Sequence, residues 1–278
     1  MKRIQGSKEI RIEREFEWEI MKEDRMVLDA ALEAGCILLK NGAEIFRVEE
    51  TIYRICRYYG VYSCNVFTLT NGIFLTAGDT KEPYFAKVKH LPLGGANLGR
   101  VAAVNQLSRE IEQGKYTIEE VIQKLEEIKR SKDKSKVSKL LAAGIGCSAF
   151  CILFQGTLFD CITAFCSGIS YYIFKLYIEK GTLSKITSNL CGGILITMVC
   201  LLSYQLHFGE HLYGMVAGSI MPLVPGVPFT NSIRDFADGD YISGAVRMLD
   251  AILVFFSIAI GMGFVFLLYH HIMGGAIL

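Results

Sequence analysis

Apolar positions along the first 130 residues recur at the spacings of half-buried helices and strands. Beyond residue 139 they merge into long runs. From Glu23, "EDRMVLDAALEAGCILLK" repeats at helical spacing and stops at Asn41-Gly42. A second amphipathic run, "AEIFRVEETIYRICRYYG", ends at Gly60. "VFTLTNGIFLTAG" shows two β-rich runs around Asn71-Gly72, a hairpin signal, and "PYFAKVKHL" can add a third strand. A helix from about Asn97 to Glu112 follows, and Thr117 with Glu120 makes a capping box for one ending near Arg130.

The apolar half predicts spans at about 139–156, 158–178, 186–206 and 242–268, on a length of roughly 20 apolar residues. A fifth, 211–229, is broken by Pro222, Pro225 and Pro228. The fold class is therefore mainly α, a polytopic α-helical membrane domain of about five spans preceded by a small α+β cytosolic domain. Its parts are a charged tail (1–20), the α+β domain (21–130), a basic linker (131–138) and the membrane domain (139–278).

Charge sets the orientation. Of the 29 Lys and Arg, 24 lie at or before Lys139 and five after it. Lys175, Lys180 and Lys185 flank the 178–186 loop, and Arg234 and Arg247 lie in the 230–247 segment. The alternate connections, "FQGT" and "LHFGEH", carry neither Lys nor Arg. The positive-inside rule then places the N-terminal domain in the cytoplasm, and five spans leave the C-terminus outside, in the plasma (inner) membrane. The first twenty residues are too charged for a secretory signal.

The break at "PLVPG" raises the chemical question. Irregular backbone is tolerated in a membrane where it is buried in protein or lines a polar cavity. Transporters use such breaks to bind substrate. Thr230, Asn231 and Ser232 have N-cap chemistry for a short helix behind the break, whose N-terminus would suit a carboxylate. Pro222, Pro225, Gly226, Thr230, Asn231 and Ser232 are the candidate substrate-binding residues. The competing reading is a proline kink satisfied by neighbouring helices.

Ionisable residues in the apolar half are expensive there. Asp250 falls about 13 Å along a last helix beginning near Tyr241. That is close to half depth, with Arg247 one turn earlier as its partner. Asp250 is read either as half of a structural pair or as a proton-coupled carboxylate. Asp160 starts the second span as a helix N-terminal carboxylate or an outer gate. Arg234 and Asp235 complete the coupling or ion-pair candidates. Asn189 and Thr197 could bond substrate or glue helices, and Gly214 with Gly218 forms a small-x-x-x-small packing face.

No catalytic constellation, phosphate loop or ATP-binding motif stands out, and no cofactor is implied. "GGANLG" lacks a strand-then-helix context. Arg47 with Glu49-Glu50 could bind a ligand or form a solvated face. The nine cysteines form no CxxC pair or metal spacing, and those in or beside the apolar runs should pack as small reduced hydrophobes.

"AGCILLKNGAEIFRVEETIYRICRYYG", "NLGRVAAVNQLSREIEQGKYTIEEVIQKLEEI" and "IMPLVPGVPFTNSIRDFADGDYISGAVRMLDA" together resemble the bacterial threonine/serine exporter family. Within it they are similar to the larger, N-terminal component found as a separate chain. "PLVPG" with the downstream N-x-I-R-D is the most specific part. The resemblance implies secondary export of threonine and serine, or of a dicarboxylate such as succinate. Full-length relatives carry about ten spans, so it also implies a second, smaller membrane protein of the same family as partner. Such a module would give an inverted repeat. Coupling would come from an ion gradient, protons foremost. No nucleic-acid partner is implied, and homo-oligomerisation stays open. The rival readings are a membrane-anchored enzyme and a metabolite sensor with a cytosolic α+β domain.

Overall fold

The computed structural model describes residues 22–78, 83–92, 94–131, 134–177 and 183–273. The charged tail (1–20), most of the 178–186 loop with Lys180, and the last five residues of "HHIMGGAIL" lie outside the described residues.

The first helix, α1 (22–40), is buried on nearly every side. Leu28, Ala31, Leu32, Ala34 and Leu38 all sit in one core. Such enclosure explains its small and branched apolar residues. At Asn41-Gly42 the chain turns, and Gly42 takes φ 85°, a left-handed conformation that favours glycine. Next comes α2 (Ile45–Tyr58), whose buried Ile45, Val48, Ile52 and Ile55 keep helical spacing along one face.

Strands β1 (Cys64–Leu69), β2 (Gly72–Gly78) and β3 (Pro83–His90) form an antiparallel sheet in the order β1-β2-β3. Leu69 pairs with Gly72, so the hairpin loop is Thr70-Asn71. Ile73, Leu75 and Ala77 turn one face of the sheet into the α1–α2 core. Asn97 caps α3 (Leu98–Glu112) through its side chain, and Thr117 and Glu120 form the full capping box of α4 (Ile118–Arg130).

The chain divides into two compact units. One contains the described residues up to Ser131 together with Val227–Met248, and the other contains Lys132–Gly226 with Leu249–Leu278. The N-terminal unit thus recruits a segment from far along the apolar half. That segment comprises α9 (Gly226–Ala237), apart from its first residue, and the start of α10 (Tyr241–Met273).

The second unit holds α5 (Lys136–Leu153), α6 (Leu158–Tyr177), α7 (Lys185–Gln205), α8 (Leu212–Ser219) and most of α10. Three described helices are long and apolar enough to cross a membrane: Lys136–Leu153, Lys185–Gln205 and Tyr241–Ile272. Large apolar side chains such as Ile152, Leu202, Phe256, Ile260 and Leu267 point outward from this unit. At eight residues, α8 rises only about 12 Å.

The proline segment differs from its expected form. A short hydrogen-bonded turn occupies 220–224, with Leu223 N–H on Ile220 O at 2.9 Å, and α9 already begins at Gly226. Thr230, Asn231 and Ser232 are therefore interior helical residues rather than N-caps. Pro228 is tolerated because it falls in the first turn, where backbone N–H groups have no helical partner. Pro222 is exposed, and a Cβ on Gly226 would meet nothing within 4 Å, so no close approach within the chain demands glycine there.

Gly214 and Gly218 do serve packing. A Cβ on Gly218 would lie 2.6 Å from Cys151 N, and one on Gly214 would lie 3.2 Å from Phe154 O. Cys147, Cys151, Cys161 and Cys200 are buried in this unit, whereas Cys166 is exposed and Cys191 half-buried. Gly218→Ala should accordingly reduce the yield and melting temperature of the membrane-inserted protein, because α5 backbone must shift. Gly226→Ala should leave both unchanged. Equal behaviour of the two variants would remove the close α5–α8 contact as a stability determinant.

Candidate functional site

The residues of the N-x-I-R-D segment converge on the loop joining α1 to α2. Asn231 donates through Nδ2 to the Gly42 carbonyl at 2.9 Å. Arg234 pairs with Glu44, the N-cap residue of α2. Arg247, 7% exposed, donates through Nη2 to the Ala43 carbonyl at 2.9 Å, and its Nε lies 3.4 Å from Asp235 Oδ2. Asp235 is also buried and accepts the Ile45 N–H at the start of α2. The side-chain hydroxyl of Ser232 donates to Phe229 O at 2.7 Å within α9. Four consecutive residues, 42 to 45, are thus each held by a polar side chain from α9 or α10.

The expected Arg247–Asp250 pair does not form. Helix spacing brings the two residues near each other, but Arg247 is taken by Asp235 and the Ala43 carbonyl. Asp250 instead pairs with Lys185 at 2.5 Å. Lys185 is the first residue of α7, so Asp250 sits level with the end of that apolar helix and not at its middle. The half-depth estimate fails because the first turns of α10 belong to the N-terminal unit, and the apolar stretch starts only after Asp250.

Asp160 is completely buried and saturated. It accepts from Thr157 N–H and Oγ1, each at 2.8 Å, and from the Glu210 and His211 N–H groups at 2.8 and 3.1 Å; His211 Nδ1 lies 3.0 Å away. One carboxylate thereby ties the start of α6 to the approach to α8. Asn189 and Thr197 turn back on their own helix, bonding Lys185 O and Gly193 O.

Of the charged trio on α2, Glu49 is not a plain solvated residue. It accepts the Thr68 N–H at 2.8 Å, and burial raises its pKa above the ordinary carboxylate value. Glu50 pairs with Arg54. Arg47 borders a cavity of about 220 Å³ shared by the α1–α2 loop, α3 and α9. Asn231 and Thr230 line the same cavity, whereas Pro222, Pro225 and Gly226 do not. Among the described residues no group of three or more His, Cys, Asp or Glu could hold a metal ion.

The sequence offered no signal that Gly42–Glu44 would be the partner of the N-x-I-R-D segment, since about 190 residues separate them. Asn105, on α3, also faces the cavity, and nothing in its sequence context marks it. By position in the chain Lys185 reads only as an orienting charge.

Burial raises the Asp235 carboxyl above its usual range, against the opposing pull of Arg247 and of the Ile45 N–H. The pair is therefore costly to break from one side. Asp235→Asn should destabilise the N-terminal unit by roughly 3–5 kcal/mol, because it strands a buried cation. Asp235→Leu combined with Arg247→Met should recover most of that loss. Chemical unfolding of the detergent-solubilised full chain measures both, and a single variant as stable as the parent would remove the pair as a stability determinant.

Long apolar helices with outward apolar faces, joined to a small α+β unit, define an α-helical membrane protein. The chain belongs to the family whose model carries the description "Putative threonine/serine exporter", which matches residues 29–269. Among curated proteins it is similar to the "Probable succinate transporter subunit YjjP" of Klebsiella aerogenes, at 26% identity over 240 residues, 86% of this chain and 92% of that one. The protein of the same description in Escherichia coli K12 is 25% identical over 241 residues, 86% of this chain and 93% of that one. A "Probable threonine/serine exporter" of Mycobacterium tuberculosis is 22% identical over 243 residues, 85% of this chain but only 45% of the longer relative. No solved structure matches the chain.

Proposed function

We propose that this chain is the larger subunit of a secondary exporter that moves a small carboxylate-bearing metabolite, threonine or serine or a dicarboxylate such as succinate, across the inner membrane. The observation that carries this reading is the family match over residues 29–269, which takes in α5 to α8 and most of α10. A second, smaller membrane subunit supplies the remaining spans. The word "subunit" in two relatives' names and the greater length of the third support that division.

In this reading the chain crosses the membrane five times, with the N-terminal unit cytoplasmic and the C-terminus outside. The distribution of Lys and Arg among the connections supports this direction. The fourth crossing is made by α8 and the PLVPG turn. Eight helical residues fall well short of a hydrocarbon core of about 30 Å. Beyond α8 the crossing runs through the hydrogen-bonded turn at 220–224 into α9, and such a break is tolerated where it faces a polar path, the place where substrate passes.

Coupling to protons falls to the Asp250–Lys185 pair. It is partly exposed, its two side chains being 27% and 55% accessible, so a proton can reach it. Asp250→Asn should abolish export driven by a pH gradient while sparing substrate exchange without net proton movement. Lys185→Gln with Asp250→Asn should be equally uncoupled. Recovery of pH-driven export in the double variant would reduce the pair to charge balance.

The reading as a whole is tested with vesicles loaded with threonine, serine or succinate, with and without a candidate small subunit. Efflux of at least one solute, dependent on this chain and on a proton gradient, is expected. Absence of efflux under every condition would overturn the exporter assignment.

A further inference from the structure

The sheet of the N-terminal unit has one open edge and one uncovered face among the described residues. β1 is protected, because Tyr53 and Glu49 of α2 accept the Val66 and Thr68 N–H groups at 3.1 and 2.8 Å. β3 lies last in the order β1-β2-β3, and no described strand pairs with its outer edge. Such an edge invites another strand. The two faces of β3 differ in chemistry. Phe85, Lys87 and Lys89 stand in register with Ala77, Leu75 and Ile73, so they share the face that packs on α1 and α2. Val88 lies on the other face, in a row with Phe74 and Phe67, and all three are exposed. Asn65, Thr76 and Ala86 form the next row, and neither row carries a charge. A strand added beside β3 therefore meets lysines on one face and exposed apolar groups on the other.

The chain itself contains a segment with that pattern. Residues 9–20, "EIRIEREFEWEI", alternate with period two. One stripe carries Glu13, Glu15, Glu17 and Glu19, and the other carries Ile10, Ile12, Phe16, Trp18 and Ile20. We propose that residues 9–20 pair with the outer edge of β3 as a fourth, antiparallel strand, with Phe16 and Trp18 extending the row of Phe67, Phe74 and Val88. The acidic stripe then lies beside Lys87 and Lys89, and both kinds of cross-strand neighbour are favourable. A slip of one residue would invert both matches at once, so the parity is well specified. Arg14 is the one charge in the apolar stripe, and its stem can lie along the sheet with the head group in water. The direction follows from α1. Asp29 pairs with Lys87, and a Cβ on Gly94, just past β3, would lie 2.5 Å from the carbonyl of Lys40, at the end of α1. Helix α1 therefore runs beside β3 in the same sense. Lys22 lies two helical turns before Asp29, a rise of about 10 Å, or about three strand residues. So α1 begins level with the start of β3, and a segment that covers the edge and ends there runs antiparallel to it. Residues 9–20 are long enough to cover all of Pro83–His90.

Trp18 is the only tryptophan in the sequence, so its fluorescence reports on this segment alone. The test is acrylamide quenching of the full chain in nanodiscs of ordinary or brominated phosphatidylcholine. It uses the parent, Val88→Glu, Lys89→Glu, and Lys89→Glu combined with Glu15→Lys and Glu17→Lys. Val88 and Lys89 are both exposed, so neither single change disturbs the core. In the parent, Trp18 should be quenched at least threefold less than free N-acetyltryptophanamide, and brominated lipid should leave its emission unchanged. Each single variant should raise acrylamide quenching at least twofold, and the charge-swapped triple variant should return to the parent value. Four results would each overturn the proposal. One is a parent Trp18 as open to acrylamide as the free amide, and another is shielding unaltered in both single variants. The third is quenching by brominated lipid, which puts Trp18 in the bilayer. The last is shielding found only in discs that hold two copies, which makes a second copy the occupant of the edge.

Discussion

A buried guanidinium organises the N-terminal unit. Arg247 is almost fully enclosed, and a cation so placed survives only with an anion and good hydrogen bonds around it. Asp235 provides the anion and the Ala43 carbonyl a strong acceptor. Meeting those two demands requires α9, the first turns of α10 and the α1–α2 loop to be adjacent. The remaining contacts, Asn231 to Gly42 and Arg234 to Glu44, follow once that adjacency exists. Gly42 is part of the same constraint, because its left-handed conformation closes the turn that presents these carbonyls.

The second unit answers a different constraint. Its outward surface is apolar, so polar groups are spent at helix ends or turned inward. Asp160 illustrates the first solution, its oxygens meeting the N–H groups of the approaches to α6 and α8. Thr197 and Ser257 illustrate the second, each donating to the carbonyl four residues earlier on its own helix. Where helices must approach most closely, glycine removes the obstacle, as Gly218 does against α5 and Gly193 against α10.

These two regimes meet in the sequence around PLVPG. Prolines there end one helix and start the next without leaving an orphaned donor, since Pro228 occupies a first-turn position. The N-x-I-R-D residues that follow look like an N-cap when read along the chain. In the folded unit they are helical residues whose side chains reach a loop near the other end of the sequence.

Local patterning was sufficient for the elements themselves. Helical spacing in α1 and α2, the β-rich runs about Asn71 and the Thr117–Glu120 box depend on neighbours within a few residues, and each was legible in the chain. The family was legible too, through short motifs. Charge partners were not. Arg247 has Asp250 within one turn and Asp235 twelve residues back, and sequence spacing favours the nearer. The choice of Asp235 depends on burial and on the Ala43 carbonyl, both consequences of tertiary packing. The depth of Asp250 was likewise decided by packing, because the helix that carries it begins within the N-terminal unit. Sequence alone determined which segments are helical and which are apolar. Only the fold determined which charge neutralises which, because that depends on distances between residues that the chain order leaves free.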